Sequence, residues 1–268
     1  MRIDHLLVLR QLAHSRSQAQ RLMAGGVQYG VDGVWRTVTK KSEDVPEDAL
    51  IQLLDESELR YVSRGGLKLE AALEHLGLAV QGFQCLDVGQ STGGFTDCLL
   101  QHGAATVVGV DVGTDQLRPH LRTDPRVLCL EKRNARTLNA SDLIATYADW
   151  IRARGHFDPQ LLTHTMAFDL VVMDVSFISQ THVLPALKPL LQPKGKLLTL
   201  VKPQFELQPT QIGKGGIVKD ASLYAVVENR LRASCIQSGW QVTDYFDSAI
   251  FGGDGNREFF MCAQHANP

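Results

Sequence analysis

A glycine-rich turn between two apolar runs is the feature that most constrains the fold of this chain. The run at 85–88 indicates a buried strand, and the segment L-D-V-G-Q-S-T-G-G-F-T at 86–96 breaks at glycines before an amphipathic helix through Phe95 and Leu99. A second apolar run at 106–110 ends on Asp111. Nucleotide-type ligands require this order of elements, because glycines let the backbone approach the ligand and an acid after the second strand binds two ribose hydroxyls.

The spacing of the glycines narrows the choice of ligand. Gly89 is followed by three other residues before the Gly93-Gly94 pair, which departs from the dinucleotide fingerprint and disfavours a nicotinamide-dependent oxidoreductase. A wider loop that carries Ser91 and Thr92 suits a ligand without pyrophosphate. S-adenosylmethionine (SAM) is therefore the leading candidate. The alternative left open is an α/β protein with ordinary glycines at its strand–helix turns.

Composition excludes several classes of protein. The chain has 268 residues, 44% hydrophobic and 21% charged, which predicts a globular protein with one large and one small domain. We expect no membrane span and no secretory signal, because no apolar run approaches ~18 residues and the start at Met1 to His5 has no apolar core of a signal peptide. Five scattered cysteines indicate a reducing compartment, so we expect the cytoplasm. The nine histidines show no metal spacing, and we predict no metal.

Charge is distributed unevenly over the first 58 residues. The segment 43–58 carries seven acids and no base, whereas 1–41 contains only Asp4 and Asp32 as acids. A basic head on a chain of net charge −2 favours a polyanion partner for this segment, and a merely solvated face is the alternative. The seven basic residues of 1–41 are Arg2, Arg10, Arg16, Arg21, Arg36, Lys40 and Lys41.

The pattern along the chain predicts an α/β protein with two domains. Residues 1–58 read as two helices, a hairpin at Asp32-Gly33 and a further strand, which is a small α+β domain. After a linker at 59–64, strands and helices alternate over 65–268, with helices predicted near 115–121 and 180–191. Such alternation predicts a Rossmann-like, mostly parallel sheet of seven strands whose last hairpin is antiparallel.

Charged side chains stand at the ends of three predicted strands. Asp174 follows the buried strand 168–173, Lys202 ends the strand 196–201, and Glu258 opens the last strand. Ligands of open α/β sheets bind outside the carboxyl ends of the strands, where such groups meet. Lys68, on the helix before the sheet, could reach the same place. Each residue alone is more typical of a surface ion pair, but together they indicate a catalytic site.

These residues lie in motifs that resemble a known family. Residues 2–45 resemble the small alpha-L RNA-binding domain. The motifs Y-V-S-R-G-G-L-K-L-E-A-A-L, L-D-V-G-Q-S-T-G-G-F-T-D-C-L, M-D-V-S-F-I-S, L-V-K-P-Q-F-E and G-N-R-E-F resemble the FtsJ-like ribose methyltransferases. Their combination and order resemble the TlyA family, also called hemolysin A-like rRNA methyltransferases, over nearly the whole chain.

The resemblance implies a function and a set of residues. It implies SAM-dependent 2′-O-methylation of cytidine in ribosomal RNA, by a monomer whose partner is ribosomal RNA or a ribosomal subunit. Gln90 stands where the family usually has a small residue, and 154–167 is an insertion without an assigned role. The implied catalytic residues are Lys68, Asp174, Lys202 and Glu258, and the predicted cofactor residues are Asp87, Gly89, Ser91, Thr92, Gly93, Asp111 and Asn134. From the basic charge of the first module we predict that the RNA-binding residues are Arg2, Arg16, Arg21, Lys41 and Arg64.

Two mechanisms and two rival functions stay open at this point. Lys202 would accept the proton of the ribose hydroxyl or polarise that hydroxyl by a hydrogen bond, with Asp174 orienting it. Lys68 and Glu258 would fix the ribose and the charge of the lysine. The rivals are a non-catalytic RNA-binding factor of ribosome assembly, which the complete tetrad disfavours, and a pore-forming hemolysin, which the expected lack of a membrane span disfavours.

Overall fold

A computed structural model of the protein describes residues 1–13, 15–153 and 167–266. It divides into two compact units, Met1–Leu67 and Lys68–Pro268. Of the predicted insertion 154–167, residues 154–166 lie outside the described part of the chain.

The first unit packs two helices against a small antiparallel sheet of order β2-β1-β3. The Ser15 side chain accepts a hydrogen bond from the backbone N–H of Gln18, and this caps the second helix. The predicted hairpin turns at Asp32 and Gly33, whose φ angles are +51° and +77°. Its elements are α1 (Ile3–Leu9), α2 (Arg16–Gly25), β1 (Val27–Val31), β2 (Val34–Thr37) and β3 (Leu50–Leu53).

The second unit contains a seven-stranded sheet of order β6-β5-β4-β7-β8-β10-β9. Its strands are β4 (Gln84–Val88), β5 (Thr106–Val110), β6 (Val127–Leu130), β7 (Phe168–Met173), β8 (Leu191–Val201), β9 (Trp240–Asp247) and β10 (Phe259–His265). The remaining helices are α3 (Arg64–His75), α4 (Gly94–Gln101), α5 (Pro119–Thr123), α6 (Ala140–Ala153), α7 (Leu184–Leu187), α8 (Pro203–Glu206) and α9 (Ser222–Gln237).

The register of the sheet brings the ends of its central strands together. In the parallel core, Val88 pairs with Val110 on one side and with Met173 on the other. The residues that follow them, Gly89, Asp111 and Asp174, therefore leave the sheet side by side at its carboxyl edge. The central strands are buried along almost their whole length, which is the environment that explains their continuous apolar sequences.

One antiparallel strand completes the same edge. Strand β10 pairs antiparallel with both β8 and β9, and Phe259 stands opposite Val201. Glu258 and Lys202 each lie one residue beyond that pair, at the carboxyl edge. The predicted mostly parallel sheet of seven strands, with an antiparallel last hairpin, is confirmed.

Two predicted helices differ from those in the structure. The region predicted as one helix near 180–191 consists of a 3₁₀ turn at Gln180–His182, the short α7 and a second 3₁₀ turn at Lys188–Leu190. Pro185 and Pro189 lie inside it, and each removes a backbone N–H that a continuous helix would use. The helix predicted near 115–121 begins only at Pro119, which occupies its first turn.

Candidate active site

A cavity of 540 Å³ opens at the carboxyl edge of the sheet. Its volume is within the roughly 300–1,000 Å³ that pockets for small ligands and cofactors usually have. Residues from four successive strand ends line it, and they include Gly89, Ser91, Asp111, Gln116, Arg133, Asn134, Arg136, Asp174, Ser176 and Phe177.

The glycine turn closes one side of the cavity. Gly89 has a φ of +86°, and its N–H donates to the Val110 carbonyl oxygen over 2.8 Å. A side chain at this position would collide with the carbonyl oxygen of Asp174, so only glycine lets the two strand ends approach this closely. The predicted requirement for a glycine at 89 thus has a steric basis in the fold itself.

Asp111 is held in place by backbone groups of the turn. Its Oδ2 atom accepts a hydrogen bond from the Ser91 N–H and its Oδ1 atom from the Gly113 N–H, both over 2.7 Å. Each carboxylate oxygen can accept a second hydrogen bond, so the group can still bind ligand hydroxyls. The carboxylate is therefore oriented at the cavity before any ligand arrives.

Three other residues that were predicted to bind the cofactor, Asn134, Thr92 and Gly93, differ in their position relative to the cavity. Asn134 lines the cavity, and its Oδ1 accepts a hydrogen bond from the Arg136 N–H over 3.0 Å. Thr92 and Gly93 are not among the residues that line it. Gly93 has a φ of +96°, and any side chain there would meet Leu121. Its glycine is explained by packing against α5.

Asp87 lies behind the turn and does not line the cavity. It is buried in β4, and the Thr96 hydroxyl donates to its Oδ2 atom over 2.7 Å. Gln90 donates in turn to Thr96 over 2.9 Å, so the residue that departs from the family pattern is an internal part of this network. Burial raises the pKa of Asp87 to about 7, against the hydrogen bond from Thr96 and with a smaller contribution from the negative charge of Asp174.

Lys202 forms an ion pair with Asp174, which lines the cavity, although Lys202 is not itself among the lining residues. The Nζ atom of Lys202 lies 2.5 Å from Oδ1 of Asp174 and donates a hydrogen bond to the Ser176 hydroxyl over 3.0 Å. The two side chains are 14% and 25% exposed. Lys202 Nζ and Asp174 Oδ1 are close, but they are not aligned as a hydrogen bond. Oδ1 of Asp174 has no hydrogen-bond partner among the described residues. This oxygen is buried and its neighbour is the Lys202 ammonium, so it is not open to a ligand.

Lys68 and Glu258 form a second ion pair, which is closed to solvent. Lys68 comes from α3, Glu258 precedes β10, and the lysine Nζ donates directly to the glutamate carboxylate. Their side chains are only 9% and 4% exposed. The structure thus brings the four predicted catalytic residues together as two pairs, and not as four separate groups around one point.

An exposed aromatic side chain lies at the mouth of the cavity. Phe177 is 91% exposed and has a φ of +64°, which is a strained conformation for a bulky residue. Its ring centroid lies 5.0 Å from that of Phe205. Sequence reasoning missed Ser176 and Phe177 as cavity residues, although both directly follow Asp174 in the motif M-D-V-S-F-I-S.

The basic residues of the first unit are partly paired. Arg2 and Arg16 both form ion pairs with the buried Asp4, at 3.0 and 2.9 Å, and about half of each arginine side chain is exposed. Arg21 pairs with Glu58 over 2.7 Å. Burial would raise the pKa of Asp4, but the hydrogen bonds from the two arginines outweigh it and lower this pKa to about 2. Asp4 thus holds two guanidinium groups side by side at the surface.

The last two predicted RNA-binding residues have different environments. Lys41 is exposed, whereas Arg64 is half-buried.

No metal centre or membrane helix is found in the part of the chain that the structure describes. Its His, Cys, Asp and Glu side chains form no group of three or more that could hold a metal ion. None of its helices combines the length and hydropathy needed to span a bilayer. The five cysteines are free thiols.

Comparison with known proteins gives concordant matches over nearly the whole chain. The model of the FtsJ-like methyltransferase family matches residues 61–265. A 16S/23S rRNA (cytidine-2′-O)-methyltransferase, TlyA of Mycobacterium tuberculosis, is 40% identical over 97% of this chain and 88% of its own length. Hemolysin A of Brachyspira hyodysenteriae is 36% identical over 97% of this chain and 98% of its own.

A solved structure agrees with these matches. A candidate hemolysin from Streptococcus thermophilus is 37% identical and has a TM-score of 0.72, with 100% of this chain and 89% of that chain covered.

Proposed function

The chain belongs to the FtsJ-like methyltransferase family, and from this premise we propose that it transfers a methyl group from SAM to the ribose 2′-hydroxyl of a cytidine in ribosomal RNA. The observation that carries the proposal is the Asp174–Lys202 pair, whose aspartate lines the same cavity as Gly89 and Asp111. The relative from Mycobacterium tuberculosis, whose name specifies this reaction, supports the choice of substrate.

The residues of the cavity fit SAM. Gly89 lines the cavity at the turn, Asp111 can accept hydrogen bonds from ribose hydroxyls, and Asn134 is a further lining residue. Ser91 is exposed beside Asp111. When bound, SAM supplies an electrophilic methyl group on a sulfonium. We propose that Gly89, Ser91, Asp111 and Asn134 hold it, and that Asp87, Thr92 and Gly93 shape the turn behind it.

The chemistry that remains for the protein is alignment and the handling of one proton. A ribose hydroxyl is a weak nucleophile, so its oxygen must be oriented and its proton must have an acceptor. Lys202 Nζ, fixed by Asp174 and Ser176, can hydrogen-bond to that oxygen. Asp174 lines the cavity beside it, with its Oδ1 buried against the lysine ammonium. We propose that the proton passes to this pair.

Lys68 and Glu258, the sealed pair, support Lys202 and Asp174, the open pair. Lys68 and Glu258 neutralise each other next to Lys202, so neither adds an uncompensated charge to the site. We propose that they fix the position of the edge from which Lys202 projects.

The basic residues of the first unit would bind the RNA. Arg2 and Arg16 are oriented by Asp4 with exposed guanidinium faces, and Lys41 is exposed. We propose that these residues, with Arg21 and Arg64, contact phosphates. We also propose that the protein acts as a monomer in the cytoplasm, where ribosomes are made. The affinity for rRNA should then fall steeply between about 50 and 200 mM salt, because counterions are released on binding. Fluorescence anisotropy measures this, and a salt-insensitive complex would refute the phosphate contacts.

Methyl transfer to ribosomal particles tests the proposed reaction. The purified protein is incubated with methyl-labelled SAM and separated ribosomal subunits, and mass spectrometry locates the label. We expect one or more cytidines methylated on the ribose. Label on a base would refute the 2′-hydroxyl as acceptor. Binding of rRNA without any transfer would favour the assembly factor, and leakage of liposomes without transfer would favour a pore-forming hemolysin.

A further inference from the structure

We propose that Glu206 is a positioning residue for the reaction, and that it maintains the spacing of Asp174 and Lys202 by joining the segments that follow them. The inference rests on the proposed function. It concerns a residue that the tetrad does not include and that does not line the cavity.

The carboxylate of Glu206 connects the two segments directly. Glu206 ends the short helix α8, four residues after Lys202, and is only 3% exposed. Its Oε2 atom accepts a hydrogen bond from the Ser179 hydroxyl over 2.5 Å, and its Oε1 atom accepts one from the Gln180 N–H over 2.7 Å. Ser179 and Gln180 lie at the end of the segment that starts at Asp174.

Two further contacts make the connection rigid. The side chain of Gln180, itself buried, donates to the Leu200 carbonyl oxygen over 2.7 Å. Arg230 of α9 donates to the backbone carbonyl oxygen of Glu206 over 2.5 Å. The segment after Asp174 is thereby attached both to the end of β8 and to α8, which is itself attached to α9.

Together with a hydrogen bond from Lys202, these contacts link the segment after Asp174 and the segment after Lys202 into a closed loop. Lys202 Nζ donates to Ser176, which lies between Asp174 and Ser179 on the tethered segment. If the Glu206 contacts are lost, that segment keeps the Gln180–Leu200 hydrogen bond, and its other links to β8 are the contacts of Lys202 with Ser176 and Asp174, which must also handle the substrate. A displacement of about 1 Å in such a site can lower a rate by roughly 100-fold.

The chemical identity of Glu206 agrees with this role. Burial raises the pKa of its carboxyl group, although the hydrogen bonds from Ser179 and Gln180 act in the opposite direction. A buried acid is costly, and a glutamine of the same shape would offer one acceptor oxygen where the glutamate offers two. With glutamine, the carbonyl oxygen can serve only one donor at full strength, and the NH₂ group can meet the Ser179 hydroxyl only if that hydroxyl turns from donor to acceptor, so the charge-assisted bonds to both residues are weakened.

The test separates positioning from binding and from folding. We expect Glu206→Gln to lower kcat for ribosomal subunits by about 10- to 100-fold, with KM and the calorimetric affinity for SAM within about twofold of wild type. Glu228→Gln is the matched control, because it removes a carboxylate that pairs with Arg232 on the exposed side of α9. It should leave kcat unchanged.

A double variant tests the connection itself. Ser179→Ala should lower kcat by roughly 3- to 10-fold on its own and have little further effect in the Glu206→Gln background, because residues that share one interaction are not additive. If Glu206→Gln does not fold, the kcat of Ser179→Ala decides.

Three outcomes overturn the inference: a folded Glu206→Gln enzyme with wild-type kcat, a loss that appears only in KM or in SAM affinity, or full additivity of the two substitutions. A wild-type protein without methyl transfer would instead refute the proposed function.

Discussion

Charged groups at the carboxyl edge of the sheet belong to two regions that differ in their access to solvent. Lys68, Glu258 and Asp87 lie inside the protein, where their partners are other parts of the fold. Lys202 and Asp174 lie a few residues away in sequence or register and are more exposed, and Asp174 faces the cavity. Side chains of the same types therefore differ in their exposure and in their partners, according to which side of the edge they occupy.

The comparison teaches which property each region should control. A charge inside the protein has been removed from water, so the loss of its partner is expensive and appears in stability. A charge at the cavity keeps part of its hydration, so its loss costs little stability and appears in binding or rate. Substitutions in the two regions should separate these quantities.

The largest effect is expected on activity, at the open pair. Lys202→Ala should lower methyl transfer by about 10²- to 10⁴-fold, because it removes the group that we propose aligns the hydroxyl and helps to take its proton. SAM affinity and the free energy of unfolding should stay close to wild type. A radiolabel assay and calorimetry measure the two, with the exposed Lys194→Ala as control. Retained turnover would show that methyl transfer does not need Lys202, and the contrast between the two regions would then fail.

The sealed pair should show the opposite pattern. Lys68→Met leaves the Glu258 carboxylate buried without its partner, so the free energy of unfolding should fall by about 3–5 kcal/mol. Urea denaturation measures this loss. The double variant Lys68→Met/Glu258→Leu should recover much of the stability but not the activity. If Lys68→Met alone unfolds no more easily than wild type, the pair is not sealed in solution.

Asp87 should make stability depend on pH. Its folded pKa of about 7 is above the ordinary value of 3.8, so its protonated form is favoured by folding. The contribution is full below about pH 4 and is lost as pH rises towards 7, an effect of roughly 2–4 kcal/mol. The difference in unfolding free energy between wild type and Asp87→Asn should therefore change across this range. A difference that is constant from pH 4 to 8 would show that Asp87 is ionised throughout.

The smallest effect is expected at Asp111, where only the cofactor should be affected. Asp111→Ala removes the acceptor for ribose hydroxyls and the partner of the Ser91 N–H, and SAM affinity should fall by roughly 10- to 100-fold, about 1.4–2.8 kcal/mol. Isothermal calorimetry measures it, with Asp254→Ala in an exposed loop as control. Asp111→Asn should lie between the two. Unchanged affinity for the alanine variant would remove Asp111 from the cofactor site.

The fold could be predicted where local pattern and tertiary structure agree. The strands β4, β5 and β7 are apolar runs between turn residues, and burial on both faces is the only environment that suits them. The segment 180–191 was mispredicted because its apolar spacing is helical while Pro185 and Pro189 interrupt the hydrogen bonds. Periodicity reports which residues are buried, and it does not report whether the backbone can bond.

The site could be predicted as a set of positions but not as a set of contacts. Strand ends identify Asp111, Asp174 and Lys202, since register alone brings them to one edge. Nothing in the sequence separates the open pair from the sealed one, because burial depends on packing from α3 and β10. The φ of +64° at Phe177 has no sequence signal either, since bulky residues rarely adopt it. These assignments of roles stay predictions until the variants are measured.

Lys68 and Glu258 are 190 residues apart along the chain, so the parts of the site are synthesised at different times. Translation proceeds from the amino end, and the groups that line the cavity all lie between Gly89 and Val183, long before Glu258. Among the described residues strand β9 pairs only with β10, so that side of the sheet must wait for the last strand. We therefore expect the contact between Lys68 and Glu258 to form only after the last strand has been synthesised and has joined the sheet.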